Sequence, residues 1–196
     1  TLDRSSAASD VYKRQTIDRK FDIIESVGVL HHMDNPFKGW KILTSCLNKD
    51  SLMLIGLYSE KARQHIKEIK NKINKIKLQS NYKNIIKFRK DLIENYDSHL
   101  NYIKSSPDFY TVSGVRDLLF HVQEHRFTIS KIKEYLDKLG LIFLGFEDQL
   151  VKENFKDNYI NKDDLYNLEK WEEYEKNNPR IFAGMYQFWC QKMSKF

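Results

Sequence analysis

Two kinds of apolar pattern alternate along the chain. Short continuous apolar runs are separated by stretches in which apolar residues recur every three or four positions. Phe21 to Leu30 is a near-continuous run rich in β-branched residues, interrupted by Glu25 and Ser26. It predicts a central parallel strand covered on both faces. His31 to Asn35 then reads as a loop, and Pro36 suits the first turn of a helix. Trp40, Leu43, Thr44 and Leu47 follow at helical spacing. Asn48 to Asp50 is expected as a turn, and Ser51 to Tyr58 as a second buried strand. Strand, helix, strand is the right-handed crossover unit of a parallel sheet.

Helical periodicity dominates the next stretch. Ala62, Ile66, Ile69, Ile73 and Ile76 fall at steps of three and four, an amphipathic pattern. Ile85, Ile86, Phe88, Leu92, Ile93 and Tyr96 form the apolar set of a second helix, broken at Ser105 to Asp108 around Pro107. A short helix is expected over Val115 to His121, and a clear one over Ile129 to Leu139, ended by Gly140 as its C-cap. Leu141 to Phe146 predicts a third strand. Asp163 to Lys176 predicts a helix with Asp163 or Asp164 as N-cap, and Met185 to Gln191 a final strand. The chain reads as an open α/β sheet without internal repeats.

Composition narrows the class. A hydrophobic share of 41% over 196 residues supplies one globular domain with a real core. No apolar run approaches the roughly 18 residues that a membrane-spanning helix needs. Cys46 and Cys190 lie far apart, without metal or redox spacing, and fit reduced thiols of a cytoplasmic protein. The net charge of +6 is concentrated: Glu60 to Asp91 holds eleven Lys or Arg against three acids. Such a stretch fits a solvated helix face, or a surface for nucleic acid or anionic lipid. No nucleic-acid motif accompanies it.

The first residues differ from the rest. "TLDRSSAASDVYKRQ" is small, polar and aperiodic, and "SSAASDVYKRQ" resembles translated library-adapter sequence of the kind found at the ends of metagenomic reading frames. Residues 1–15 are expected to be an artefactual or disordered leader outside the fold. The natural protein would then begin upstream of Thr16.

In open α/β sheets, ligands bind outside the carboxyl ends of the strands. His31 and His32 are expected at one such end, Tyr58 and Ser59 at the next. Here a family resemblance enters. "FDIIESVGVLHHMDNP", the helix after it and "LNKDSLMLIGLYSEKAR" resemble the fourth strand, its histidine-bearing edge and the fifth strand of class I S-adenosylmethionine-dependent methyltransferases. "DFYTVSGVRDLLFHVQEHRFTISKIKEYLDKLGLIFLGFE" and "NNPRIFAGMYQFWCQK" resemble a subgroup that often carries tetratricopeptide repeats upstream. The resemblance implies a Rossmann-like fold truncated at its N-terminus, with residues 16–196 as the C-terminal part of the domain. It implies a helical insert or lid over 59–128, and strands in the order fourth, fifth, seventh, sixth. It places Ser26, Val27 and Gly28 beside the methionine part of the cofactor, mainly through backbone groups. His31 and His32 would sit at the mouth for the methyl acceptor, a small molecule or a protein, where an imidazole can act as general base. Tyr58, His121, Glu124, His125 and Arg126 are the expected substrate or lid residues.

The chain also departs from that family. It has no G-x-G-x-G turn and no acidic residue about 20 positions after one. Both belong to βα units that precede the fourth strand. The chain alone is therefore expected to bind the cofactor poorly and to present an exposed sheet edge. Two other readings compete. "HVQEH" at 121–125 matches H-x-x-E-H, a zinc-peptidase pattern in which His121 and His125 would share a helix face and Glu124 would be the base. Alternatively, the basic helical stretch serves a non-catalytic binding module. Neither oligomeric state nor acceptor can be read from the residues.

Overall fold

The computed structural model describes residues 19–94, 100–121, 123–159 and 161–193. The expected leader at 1–15 and Tyr96 lie outside them. The elements are, in chain order, β1 (Phe21–Val27), α1 (Pro36–Ser45), β2 (Leu47–Leu57), α2 (Gln64–Lys75), α3 (Tyr82–Glu94), α4 (Leu100–Lys104), α5 (Val112–Phe120), α6 (Ile129–Leu139), β3 (Leu141–Phe146), α7 (Gln149–Lys156), α8 (Leu168–Asn177) and β4 (Tyr186–Lys192). They divide into two compact units: the residues up to Ala62 with those from Gln123 onward, and Arg63–Val122. No helix among the described residues is long and apolar enough to cross a membrane.

The first unit holds the sheet, in the order β1-β2-β4-β3. β1 and β2 are parallel, and β4 runs antiparallel between β2 and β3. This is the strand order expected from the resemblance. Met53, Ile55 and Leu57 of β2 and Tyr186, Phe188 and Cys190 of β4 point to one face, as the period of two requires; Phe143 and Phe146 of β3 both join that face because the register shifts between Phe143 and Gly145. That face is buried against Trp40 of α1, Ile132 and Leu136 of α6, Phe155 of α7 and Trp171 of α8. Phe155 stacks on Trp171 with ring centroids 3.8 Å apart, so the two aromatics anchor α7 to α8.

The opposite face is the more exposed one among the described residues. Phe21, Ile23 and Val27 of β1 are 38%, 56% and 39% exposed, and Ile142 of β3 is 40% exposed. Among the described residues, β1 is therefore covered on one face, where cover on both was expected. β1 pairs with β2 and, among the described residues, with no other strand.

Local chemistry sets the boundaries. Gly28 takes φ +77°, a left-handed turn open to glycine, and ends β1 before the histidines. The predicted strand to Leu30 is thus too long: Leu30–His32 is a 3-10 turn. Asn35 caps α1 by accepting from the Lys38 amide at 2.9 Å, with Pro36 in the first turn. The expected turn at Asn48–Asp50 is instead a bulge within β2: the register jumps from Phe21–Leu47 to Ile23–Leu52, and Asp50 sits at φ +57°. Thr128 caps α6 and Gly140, at φ +65°, closes it. The helix expected over Asp163–Lys176 is split. A 3-10 turn at Lys162–Tyr166 precedes α8, whose cap is Asn167 rather than either aspartate. α7 has no counterpart among the predicted elements.

The second unit is helical. Ile66, Ile69 and Ile73 of α2 share a core with Ile85 and Leu92 of α3, Phe109, and Val115, Leu118 and Leu119 of α5. Ile76 and Ile93, expected in the apolar sets, are exposed. A Cβ on Gly114 would lie 2.2 Å from the Asp108 carbonyl oxygen, so this close backbone approach admits only glycine. Lys72 and Lys75 lie on the solvent face of α2.

Candidate functional site

The groups with chemical capacity in the sheet unit gather where β1 and β2 end. After Gly28 the chain passes through the 3-10 turn that carries His31 and His32. After Leu57 it continues through Tyr58, Ser59 and Glu60. A third segment, Gln123–Phe127, re-enters the unit and lies across both. The Phe127 amide donates to the Tyr58 carbonyl at 2.8 Å, and the Glu60 amide to the Phe127 carbonyl at 2.8 Å. The His125 amide donates to the His31 carbonyl at 2.7 Å. These backbone bonds stitch the strap to both strand ends and satisfy polar groups that a loop would otherwise leave to water.

The two histidines have different surroundings. His31 is fully buried, stacked on Tyr58 at 3.9 Å between centroids, with His32 edge-on at 4.4 Å. His32 is half-buried, and its Nδ1 lies 3.0 Å from the Gln123 carbonyl oxygen. A carbonyl only accepts, so that bond requires the proton on Nδ1. Nε2 is then the basic nitrogen of the neutral ring. Of the expected pair, His31 packs beneath His32.

The other expected residues are distributed as follows. Ser26 is buried within β1, while Val27 and Gly28 are at its open end, with open space where a Gly28 Cβ would stand. Tyr58 is half-buried against His31 at the end of β2. Glu124 has a side chain only 2% exposed and pairs with Arg126 at 3.6 Å; Arg126 Nε also donates to Glu60 at 2.8 Å. His125 is half-buried, its Nε2 3.5 Å from the Gln123 side-chain nitrogen. Glu124, His125 and Arg126 therefore belong to the sheet unit. His121 belongs to the helical unit, as the C-cap of α5. The zinc reading fails on local structure: α5 stops at Phe120 and 123–126 is not helical, so His121 and His125 do not share a helix face. Among the described residues, no group of three or more His, Cys, Asp or Glu is placed to hold a metal.

Sequence reasoning missed the polar cluster behind the strand ends. Glu175 of α8 is fully buried. Its Oε1 accepts from the Ser59 hydroxyl at 2.9 Å and from the Tyr186 hydroxyl at 2.5 Å. Its Oε2 is 3.4 Å from Lys61 Nζ, and Ser59 Oγ accepts from the Ala62 amide at 3.1 Å. Burial, and after it the Glu175 charge, push the Tyr186 phenol well above its ordinary value. The signal was present in the sequence. Leu168, Trp171 and Glu175 share a helix face, and a glutamate on an apolar stripe marks a buried partner.

Two solved structures of PKMT2 from Rickettsia typhi share the fold of the chain. One superposes with TM-score 0.58 at 15% identity, covering 88% of this chain and 35% of that one. The other, in complex with AdoHcy, superposes with TM-score 0.59 at 13% identity, covering 97% and 41%. In sequence, the chain is 24% identical over 174 residues to the uncharacterized protein syc1184_c of Synechococcus sp., covering 84% of this chain and 42% of that one. No family model matches. The chain thus has a mixed α/β fold similar to a methyltransferase structure, and it spans less than half the length of each of these proteins.

Proposed function

We propose that the full-length protein transfers a methyl group from S-adenosylmethionine to an amine or hydroxyl acceptor. In this reading the present chain supplies the acceptor side of the site. The observation that carries it is His32: a half-buried imidazole at the carboxyl end of parallel strands, with Nδ1 bonded to a backbone carbonyl and Nε2 as its basic nitrogen. The fold likeness to a protein solved with AdoHcy, the product that S-adenosylmethionine leaves after methyl transfer, supports the same chemistry.

The cofactor would supply an electrophilic methyl on a sulfonium, and transfer needs the acceptor atom in line with the carbon–sulfur bond. In this chain, Ser26–Gly28 offers backbone groups along one side of such a ligand. The chain has no G-x-G-x-G turn, so these residues fit one edge of the group. His32 Nε2 would take the proton that the acceptor loses as its nitrogen or oxygen bonds to the methyl carbon. His31 and Tyr58, stacked together, would hold the imidazole from beneath.

The truncated, Rossmann-like reading of the sheet belongs to the same proposal. An open sheet needs a second layer. The exposed face carrying Phe21, Ile23, Val27 and Ile142 is where helices of a longer polypeptide would pack. The helical unit is proposed as the lid over the acceptor.

Two comparisons test this. The full-length protein, expressed from the gene extended upstream, is expected to bind S-adenosylmethionine and to release labelled methyl product. His32→Gln should lower kcat by about 100-fold or more, the contribution of a general base, with little change in cofactor affinity. Ile23→Lys should leave the stability of the present chain within about 0.5 kcal/mol, as an exposed site does, yet destabilise the full-length protein strongly. Absence of cofactor binding by the full-length protein would overturn the transferase reading. Equal tolerance of Ile23→Lys in both proteins would overturn the covered-face reading.

A further inference from the structure

The basic stretch is densest where the helical unit turns. Ile69 to Lys90 holds eight Lys or Arg and no acid, so the three acids of Glu60 to Asp91 all lie at its margins. In the middle of it α2 ends and α3 begins. Lys75, the last residue of α2, Lys77 in the connection and Lys83, the second residue of α3, are exposed. Two large apolar side chains stand among them in sequence: Ile76 is 62% exposed and Tyr82 63%.

The connection is a built turn. The Lys77 amide donates to the Asn74 carbonyl and the Leu78 amide to the Ile73 carbonyl, both at 3.1 Å. These are the paired bonds of a Schellman closure, and Leu78 packs back against the helical core. Asn81 accepts from the Asn84 amide at 2.9 Å, and the Asn84 side chain donates to the Gln79 carbonyl at 3.1 Å. Such a closure needs a left-handed residue where Lys77 stands, and Lys77 is at φ +50°. Glycine takes that conformation freely, whereas a lysine Cβ disfavours it. The backbone is therefore better served by glycine at 77, and backbone strain of this kind directs attention to function.

A solvated face uses lysines but has no need of an exposed isoleucine beside them. A nucleic acid would pair with the lysines and could stack on Tyr82, yet it gives an isoleucine little to bury against. An anionic bilayer accommodates all three: ammonium groups meet its surface potential, a tyrosine sits at headgroup level, and an aliphatic side chain reaches the acyl boundary. We propose that the α2–α3 turn is a peripheral docking site for an anionic membrane surface, with Lys75, Lys77 and Lys83 against the headgroups and Ile76 and Tyr82 set into the interface. The inference rests on the helical unit alone and does not depend on methyl transfer.

The test is co-sedimentation of the intact chain with phosphatidylcholine vesicles containing about one-third phosphatidylserine, beside vesicles of phosphatidylcholine alone. Binding is expected to the anionic vesicles only, at low salt, and should be lost as ionic strength rises to about 0.5 M. One lysine near such a surface contributes about fivefold, so Lys77→Gly should bind about fivefold more weakly while melting no lower than the unaltered chain. Ile76→Ser should bind about tenfold more weakly with the same salt dependence. Lys41→Gln, an exposed lysine of the sheet unit, should bind as the unaltered chain does. Absence of binding to anionic vesicles at low salt overturns the inference. So does a Lys77→Gly chain that binds no worse than Lys41→Gln, or that melts lower than the unaltered chain. Undiminished binding by Ile76→Ser overturns it in favour of a purely electrostatic contact. Tighter binding to polyuridylate than to the vesicles at equal salt overturns it in favour of a nucleic acid.

Discussion

Glu175 is the residue whose removal should hurt the sheet unit most for its size. Its carboxylate is fully buried and takes two hydroxyl donors, from Ser59 and Tyr186, on one oxygen. In Glu175→Ala the Tyr186 hydroxyl loses its acceptor in a dry site, which costs about 1–3 kcal/mol. The Ser59 oxygen still accepts from the Ala62 amide, so Ser59 loses only its own donation, about 1 kcal/mol. Lys61 is 28% exposed and can rehydrate, so its share is about 1 kcal/mol or less. The vacated side-chain volume adds a cavity term. The whole comes to about 3–5 kcal/mol, the range for deleting one partner of a buried ion pair.

The assay is urea unfolding followed by circular dichroism. Glu175→Ala should lower the midpoint without changing the slope. A loss of this size approaches the full stability of a typical domain, so the milder Glu175→Gln and Tyr186→Phe carry the quantitative test. Each should cost about 1–2 kcal/mol. The double variant should cost clearly less than their sum, because both weaken the same contact, one by removing the charge of the acceptor and the other by removing the donor. Additive losses, or a loss under about 1 kcal/mol in Glu175→Ala, would refute the claim that the cluster holds α8, β4 and the β2 end together.

The same burial makes stability fall in alkali. Burial pushes the Cys190 thiol from 9 to about 12, and pushes the Tyr186 phenol up as well. Both folded values are raised, so their contribution is fully present below the unfolded values of about 9 and 10 and is lost as pH rises through them. Each group lowers stability by about 1.4 kcal/mol per pH unit in that window. Urea midpoints measured from pH 8 to 11 should decline, and Cys190→Ala should flatten the first part of the decline; a flat profile would contradict the burial. In the helical unit, Gly114→Ala should destabilise by well over about 1 kcal/mol, because its Cβ meets the Asp108 backbone. Gly39→Ala should be milder, because the obstacle is the flexible Met33 side chain. Equal melting temperatures for these two variants would show that the distinction between backbone and side-chain obstruction is unfounded.

The elements legible in the sequence were those whose ends are set by neighbouring residues. α6 and β3 match their predicted bounds because Thr128 caps one end of the helix and Gly140, in the left-handed region, separates it from the strand. The split of the expected Asp163–Lys176 helix was harder to see. Asn161 and Asn167 each accept backbone amides two or three residues on, and the second of these caps restarts the chain as α8 just where the apolar stripe continues. α7 was missed because its apolar face is short: only Val151 and Phe155 are buried, although Asp148 marks its start. The bulge at Asn48–Asp50 carried turn chemistry, and the residues alone do not distinguish a chain reversal from an extra loop of strand. The site divides in the same way. The pair His31–His32 was visible as polar residues at a strand end, but their difference depends on a carbonyl from a segment ninety-one positions away. Burial was the property least readable residue by residue. β1 has the unbroken apolar composition of a strand covered twice, yet among the described residues its Phe21, Ile23 and Val27 face water. An unbroken apolar composition therefore identifies a strand without telling which of its faces neighbouring elements cover.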